Sequence, residues 1–341
     1  MLTLAHLQEA ARQRLDGMTW GYYASGADEE RTLADNVAAF DRVKLWPRVL
    51  VDVSERSAAT QVLGQDLQLP VLVAPMAMQG LAHPRAEAAT AEAAARQGSL
   101  MILSTFSNTP VEEVAAIGPT WFQLYVYRDR GASEALVQRA EAAGCKALVL
   151  TVDAPVLGRR LADVHSGFHL PEGLMLPNLT GDEQLMRERD AGSALQHFVE
   201  EMLDPSLSWA DVEWLRGVTE LPILLKGVLR SDDARRAMQA GCAGVIVSNH
   251  GGRQLDGAVA ALDALPAIAE VCQGAVLMDG GVRRGTDVVK ALALGAQAVL
   301  LGRPVLWGLA IDQPDAALRM LGEELDRAMA LCGAPSVAQL T

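Results

Sequence analysis

The chain has 341 residues, half of them apolar, enough for two ordinary domains or for one α/β barrel with additions. No run of about 18 uninterrupted apolar residues occurs, which excludes a membrane span, and a net charge of −13 argues against nucleic-acid binding by phosphate neutralisation. Cys145, Cys242, Cys272 and Cys332 are scattered among apolar or small residues, as expected of free thiols in a reducing cytoplasm rather than of disulfides or metal ligands.

In chain order, residues 1–10 read as an amphipathic helix without the basic start of a signal peptide. The apolar stripe of residues 2–15 cannot be buried by that helix alone. Residues 1–65 are therefore expected to be a mostly helical extension that packs against the remainder or covers one end of it. From residue 66 onward, short apolar runs alternate with helical periodicity. The predicted strands are 69–74, 100–104, 120–126, 147–152, 222–226, 244–248, 275–279 and 298–301. Helices are predicted at 86–97, 133–143, 232–240 and 286–294, followed by Gly98, Gly144, Gly241 and Gly295 as C-terminal stops. The rhythm predicts a single (β/α)8 TIM barrel domain over residues 1–341, with residues 66–341 forming the barrel. Residues 156–210, after the fourth strand, are too long for an ordinary loop. They include the charge-rich run 181–190, so a lid or mobile insertion is expected there.

Polar residues collect where each strand ends. These ends are Pro75-Met76-Ala77, Ser104, Gln123 with Tyr125, Thr151 with Asp153, Lys226, the run from Ser248 to Gly257, Asp279 to Arg283, and Gly302-Arg303. In a barrel all eight converge on one mouth, where chemistry sits. Within Ser248-Asn-His-Gly-Gly-Arg-Gln-Leu-Asp-Gly257, His250 is a titratable base beside Arg253, a cation able to grip a carboxylate through two hydrogen bonds. Such a pair suits a small organic acid. Asp279-Gly-Gly-Val-Arg-Arg-Gly285 before a helix, together with Gly302-Arg303, presents bare amides and arginines after strands seven and eight, a common phosphate site in barrels. Neither a dinucleotide Gly-x-Gly-x-x-Gly nor a P-loop occurs, so a mononucleotide such as FMN fits better, with Lys226 at the N1 and O2 edge of its ring. The chain has four tyrosines in two close pairs. Tyr23 and Tyr127 read as half-buried core residues with wet hydroxyls, while Gln123, Tyr125 and Tyr127 alternate along one strand and are expected to face one side.

These motifs extend into a resemblance. Trp20-Gly-Tyr-Tyr-Ala-Ser-Gly-Ala27, Pro75-Met-Ala-Met-Gln-Gly-Leu-Ala-His-Pro84, Gln123-Leu-Tyr-Val-Tyr127, Thr151-Val-Asp-Ala-Pro155, Leu157-Gly-Arg-Arg160, Leu224-Leu-Lys-Gly227 and the two glycine-rich runs above span the chain. Together they resemble the FMN-dependent 2-hydroxy acid oxidising enzymes, the family of glycolate oxidase, lactate oxidase and mandelate dehydrogenase. The resemblance implies a substrate site of Tyr22, Tyr125, Arg160, His250 and Arg253, with His250, Asp153 and Tyr125 as the catalytic group and Asp153 holding His250. It implies FMN contacts from Pro75, Met76, Ala77, Ser104, Gln123, Thr151, Lys226, Ser248, Asp279, Gly280, Gly281, Val282, Arg283, Gly302 and Arg303, no metal, and a homotetramer.

Met76 and Phe106 stand where glycolate oxidase-like sequences carry Thr and Trp, which turns the expectation toward L-lactate or a longer aliphatic (S)-2-hydroxy acid. Oxygen is the expected electron acceptor, giving hydrogen peroxide. A dehydrogenase using a quinone or carrier protein is the alternative, though residues 166–208 lack the apolar or basic character of the insertion in membrane-bound relatives. A catalytically silent flavin- or phosphate-binding barrel would have been signalled by loss of His250, Lys226 or an arginine, and all are present.

Overall fold

The computed structural model describes residues 3–179 and 193–340. Short aliphatic runs buried on both faces suit parallel strands wrapped by helices, and eight of them close into a parallel barrel. After a two-stranded hairpin of β1 (Thr60–Val62) and β2 (Gln65–Leu67) come β3 (Val71–Val73), β4 (Met101–Leu103), β5 (Thr120–Leu124) and β6 (Leu148–Thr151). The barrel continues with β7 (Ile223–Val228), β8 (Gly244–Val247), β9 (Ala275–Asp279) and β10 (Ala298–Leu301), and β10 pairs with β3 to close it. The four predicted helices form as Ala86–Arg96, Arg130–Ala142, Ser231–Gln239 and Gly285–Ala293.

Strand alternation sorts the core. Leu72, Ile102, Trp121, Val149, Leu224, Ile246, Leu277 and Leu300 cluster inside the barrel, whereas Val71, Met101, Phe122, Leu150, Leu225, Val247, Met278 and Val299 belong to the cluster that includes the surrounding helices. Two residues beyond each of six inward positions stand Ser104, Gln123, Thr151, Lys226, Ser248 and Asp279. The layer that would continue the apolar core is thus polar at the C-terminal end. At the opposite end Val62 and Leu67 of the hairpin join the interior cluster and plug the barrel.

Three expectations change. The N-terminal extension is helical only at Leu4–Arg14, Gly17–Ala24 and Arg31–Arg42; residues 43–59 lack regular helix, and the hairpin straddles residue 65. Its two-residue turn, Leu63-Gly64, takes φ +48° and +75°, the left-handed pair that a tight hairpin needs, without the Asn-Gly or Asp-Gly that would advertise it. Strand β5 ends at Leu124, so Tyr125 and Tyr127 lie beyond it. Tyr127 bridges to Leu203 and is buried, and Tyr23 is buried with its hydroxyl donating to the Met78 carbonyl at 2.6 Å. Finally, the flanks of the expected lid carry helices Leu161–Ser166 and Ala194–Met202 and fully buried Phe168, Leu176 and Phe198, so they are core. The charge-rich run 181–190 lies outside the described residues. No helix among the described residues is long and apolar enough to cross a membrane.

The N-terminal helices sit on the C-terminal mouth. Asn36 and Asn249 exchange two amide hydrogen bonds of 2.8 and 2.7 Å, and the Thr32 amide donates to Asp256 Oδ1 at 2.8 Å. Gly281, at φ +83°, touches the backbone of the same helix so closely that a Cβ would overlap the Asn36 carbonyl. Gly281→Ala should therefore cost at least about 1–3 kcal/mol and lower the melting temperature by several degrees in a thermal scan. An unchanged melting temperature would contradict this contact.

Candidate active site

Strand β8 delivers Ser248 to the mouth, and the chain then takes three successive left-handed residues, His250 (φ +59°), Gly251 (+63°) and Gly252 (+75°). A histidine there is strained by roughly 1–2 kcal/mol. The turn is held from all sides: the His250 amide donates to Ser248 Oγ at 3.0 Å, the Ala27 amide donates to the Gly252 carbonyl at 2.8 Å, and Asn249 Oδ1 accepts from the Gly252 amide at 3.0 Å. The imidazole is aimed by this backbone.

His250 Nδ1 lies 2.8 Å from Asp153 Oδ1. Assigned from that bond, Nδ1 carries the proton and Nε2 presents its lone pair toward the Tyr125 hydroxyl, 3.4 Å away. Burial pushes the histidine below its ordinary pKa despite the pull of Asp153. Burial alone would raise Asp153, yet His250 and Lys226 outweigh it and hold the carboxyl below the usual range. The pair at neutral pH is a carboxylate and a neutral imidazole. Room for Asp153 comes from Gly227, at φ +108° in the β7 bulge, where any Cβ would overlap the Asp153 side chain. Gln254 ties the two loops together, donating to the carbonyls of Asp153 (3.0 Å) and Val156 (2.8 Å).

Beside the imidazole stand two buried cations. Arg253 donates to the Ser25 carbonyl at 2.8 Å, and its guanidinium carbon lies 5.3 Å from the Tyr22 ring centroid, which itself stacks on Phe168 at 4.2 Å. Burial, with Arg160 adding to it, pushes Arg253 down to about 10, so it remains charged at neutral pH. Arg160 keeps its Nε without an acceptor.

The remaining polar layer forms a second group. Lys226 Nζ donates to Ser248 Oγ at 3.0 Å and pairs with Asp279 Oδ2 at 3.1 Å, while Ser248 Oγ donates to Asp279 Oδ1 at 2.6 Å. Gln123 Oε1 accepts from Ser104 Oγ and the Thr105 amide at 3.3 and 3.2 Å, leaving its buried Nε2 without a partner. Asp287 accepts from the amides of Arg283 and Arg284, both 2.9 Å, and fixes the glycine turn at the start of its helix. Arg303 departs from the expectation of a free phosphate ligand: its guanidinium makes three bonds of 3.0 Å to the carbonyls of Tyr23, Gly251 and Ser25. It pins the N-terminal helices to the signature turn.

Every residue expected to touch substrate or cofactor lines one cleft of about 1230 Å³ except Ser248 and Asp153, which stand behind its wall. Ser248 is not at the cleft surface because its hydroxyl is consumed by Lys226, Asp279 and His250. Three wall residues escaped sequence reasoning: Leu195, Val199 and Leu203, from helix Ala194–Met202 and its end. Their helical spacing was visible, but nothing in it says where the helix docks.

Over residues 11–341 the sequence matches the profile of the FMN-dependent dehydrogenase family. The chain belongs to that family. An L-lactate oxidase of Nostoc sp. is 53 % identical over 97 % of this chain and 94 % of its own length. Glycolate oxidase 3 of Oryza sativa subsp. indica is 48 % identical over 99 % of this chain and 94 % of its own. A solved structure of mandelate oxidase with (S)-4-hydroxymandelic acid superposes with a TM-score of 0.96 at 44 % identity, covering 100 % of this chain and 97 % of that one. The family's cofactor, FMN, fits the cleft: Gln123 Nε2 is a buried donor in need of an acceptor, and Lys226 supplies positive charge at the barrel axis. The glycine turn with Arg283 forms an anion cradle.

The lowered pKa of His250 fixes a pH profile for flavin reduction by substrate. A base is lost when it is protonated, so the rate should be flat across neutral pH and fall only below about pH 6.5. Asp153→Asn removes the carboxylate that favours the imidazolium, so the acid limb should move lower still while the plateau drops. A limb above 6.5, or one that moves upward in the variant, would contradict the assignment.

Proposed function

We propose that this family member oxidises an (S)-2-hydroxy acid to the 2-keto acid and passes the electrons to oxygen, giving hydrogen peroxide. The reading is carried by one juxtaposition: a neutral, buried His250 whose free Nε2 opens on the same cleft as the guanidinium groups of Arg160 and Arg253. The names of the similar proteins, L-lactate oxidase, glycolate oxidase and a 2-hydroxyacid oxidase of Dictyostelium discoideum, support the same chemistry.

In this reading Arg160 and Arg253 grip the substrate carboxylate and so place its α-carbon, an orientation worth several kcal/mol, about 7–11 in favourable cases. His250 Nε2 takes the hydroxyl proton, and Asp153 stabilises the imidazolium through Nδ1. Tyr125 and Tyr22 complete the substrate's surroundings, and burial raises both phenols, which keeps them protonated as donors. FMN, when bound, accepts the hydride equivalent from the α-carbon at its N5. Lys226 meets the negative charge that reduction brings. Pro75, Met76, Ala77, Ser104, Gln123, Thr151 and the turns 279–283 and 302–303 would hold the cofactor. His250→Asn should keep FMN yet lose flavin reduction by about three orders of magnitude, since positioned acid–base catalysis contributes about 10²–10⁴-fold. Near wild-type reduction in stopped-flow under anaerobic conditions would make His250 structural.

The cleft wall favours L-lactate or a longer aliphatic acid over glycolate. Phe106 stacks on Tyr125 at 5.2 Å and meets Phe198 edge-on at 5.7 Å, next to Leu195, Val199 and Leu203. Each buried methylene adds about 1–3 kcal/mol of discrimination. The wild type should have a higher kcat/KM for L-lactate or 2-hydroxyoctanoate than for glycolate, and Phe106→Trp should move that ratio toward glycolate. Glycolate as the best substrate, or the same ranking in both proteins, would rule out this pocket. Assembly into a homotetramer is part of the reading: Trp46, Val49 and Leu50, on the irregular stretch before the hairpin, are 92 %, 80 % and 103 % exposed, an apolar surface suited to another copy.

A further inference from the structure

One buried charge has no task in the chemistry above. Asp163, in the short helix Leu161–Ser166, is 2 % exposed, and neither of its carboxylate oxygens has a hydrogen-bond partner. Its ion-pair neighbour is Arg160, with Nη1 3.9 Å from Oδ2; Arg160 is 6 % exposed and its Nε also lacks a partner. Arginine and carboxylate ordinarily close into a two-bond fork. Here an orphan donor and two orphan acceptors stand side by side and stay apart. The charges of Arg253 and Arg160 both act on the Asp163 carboxyl, against the burial that raises it, and Asp163 in turn acts on the Tyr22 phenol.

A charge count gives the slack pair a meaning. Lys226 is neutralised by Asp279 at 3.1 Å, and Asp153, bonded to His250 at 2.8 Å, is reserved for the proton the imidazole takes up. Arg160 and Arg253 remain, set against Asp163. Their balance is one positive charge, which a single substrate carboxylate cancels. Because Asp163 does not lock Arg160 in a fork, the guanidinium keeps its hydrogen bonds for the ligand, while the buried negative charge still weakens the pull on any second anionic group.

We propose that Asp163 is the counter-charge of the two-arginine clamp and sets the site for monocarboxylates against dicarboxylates. The proposal rests on the 2-hydroxy acid reading, in which those arginines hold the substrate carboxylate. It makes Asp163 a specificity residue that acts through Arg160 and Arg253 and does not itself touch substrate.

The test is ligand binding without turnover. FMN-loaded wild type, Asp163→Asn, Asp163→Ser and Asp163→Glu are titrated with pyruvate, a monoanion, and with oxalate, a dianion of similar size, by calorimetry and by the change in flavin absorbance. Both neutral variants should bind oxalate at least about tenfold more tightly, equivalent to about 1.4 kcal/mol, and pyruvate only a few-fold more tightly, whereas Asp163→Glu keeps the wild-type ratio. Parallel weakening of both ligands would show that Asp163 merely shapes the loop, and an unchanged ratio would equally overturn the proposal. Failure of both neutral variants to fold and hold FMN would make the residue structural and end it too. The expected shift in a protein whose flavin no 2-hydroxy acid reduces would sink the proposed reaction and leave the counter-charge standing.

Discussion

The hydrogen bond between Asp153 and His250 is the constraint to which the rest of the mouth conforms. Asp153 is a buried carboxylate that stays ionised only because an imidazole and a nearby ammonium outweigh its burial. Removing one partner from such a pair typically costs about 3–5 kcal/mol. Accommodating it requires a glycine at 227 in a strand bulge, a histidine in the left-handed region, and Ser248 and Gln254 fastening the two loops that carry the pair. Local strain is accepted where the site needs it, and the packing around it prevents relaxation.

The barrel supplies the foundation for that strain. Its inner layers are aliphatic until the level of Ser104, Gln123, Thr151, Lys226, Ser248 and Asp279, where alternation continues and chemistry changes. A polar layer over a dry core has to satisfy itself, and Ser248 does so by joining Lys226, Asp279 and the His250 amide. The mouth is finished by segments far apart in sequence. Tyr22 and the Ser25 carbonyl arrive from the N-terminal helices, Arg160 from the loop after β6, and Arg253 from the signature turn, with Arg303 binding the first of these to the last.

Strands and site residues were legible in the sequence for the same reason: a polar residue that breaks a short aliphatic run marks both the end of a strand and the rim of a barrel. Residues 275–279 and 298–301 form strands with the predicted ends, and the helices stop next to Gly98, Gly144, Gly241 and Gly295. What was hidden depends on partners distant in sequence. The hairpin turns on a leucine held at positive φ, which no local composition announces. Ser248 and Arg303 read as ligand contacts, but their hydrogen bonds are consumed by side chains and carbonyls that only the fold brings near. Asp163 looks like an ordinary first-turn acid of a helix until its burial and its missing partners are seen.

The central claim is that Asp153 and His250 act as one unit. A double-mutant cycle on anaerobic flavin reduction, with Asp153→Asn, His250→Asn and the double variant, all FMN-loaded, tests it most directly. Groups that work as a unit give strongly non-additive losses. The account predicts that the double variant reduces its flavin no more slowly than His250→Asn alone, because Asp153 has no imidazolium left to stabilise. Independent losses that simply multiply would contradict it.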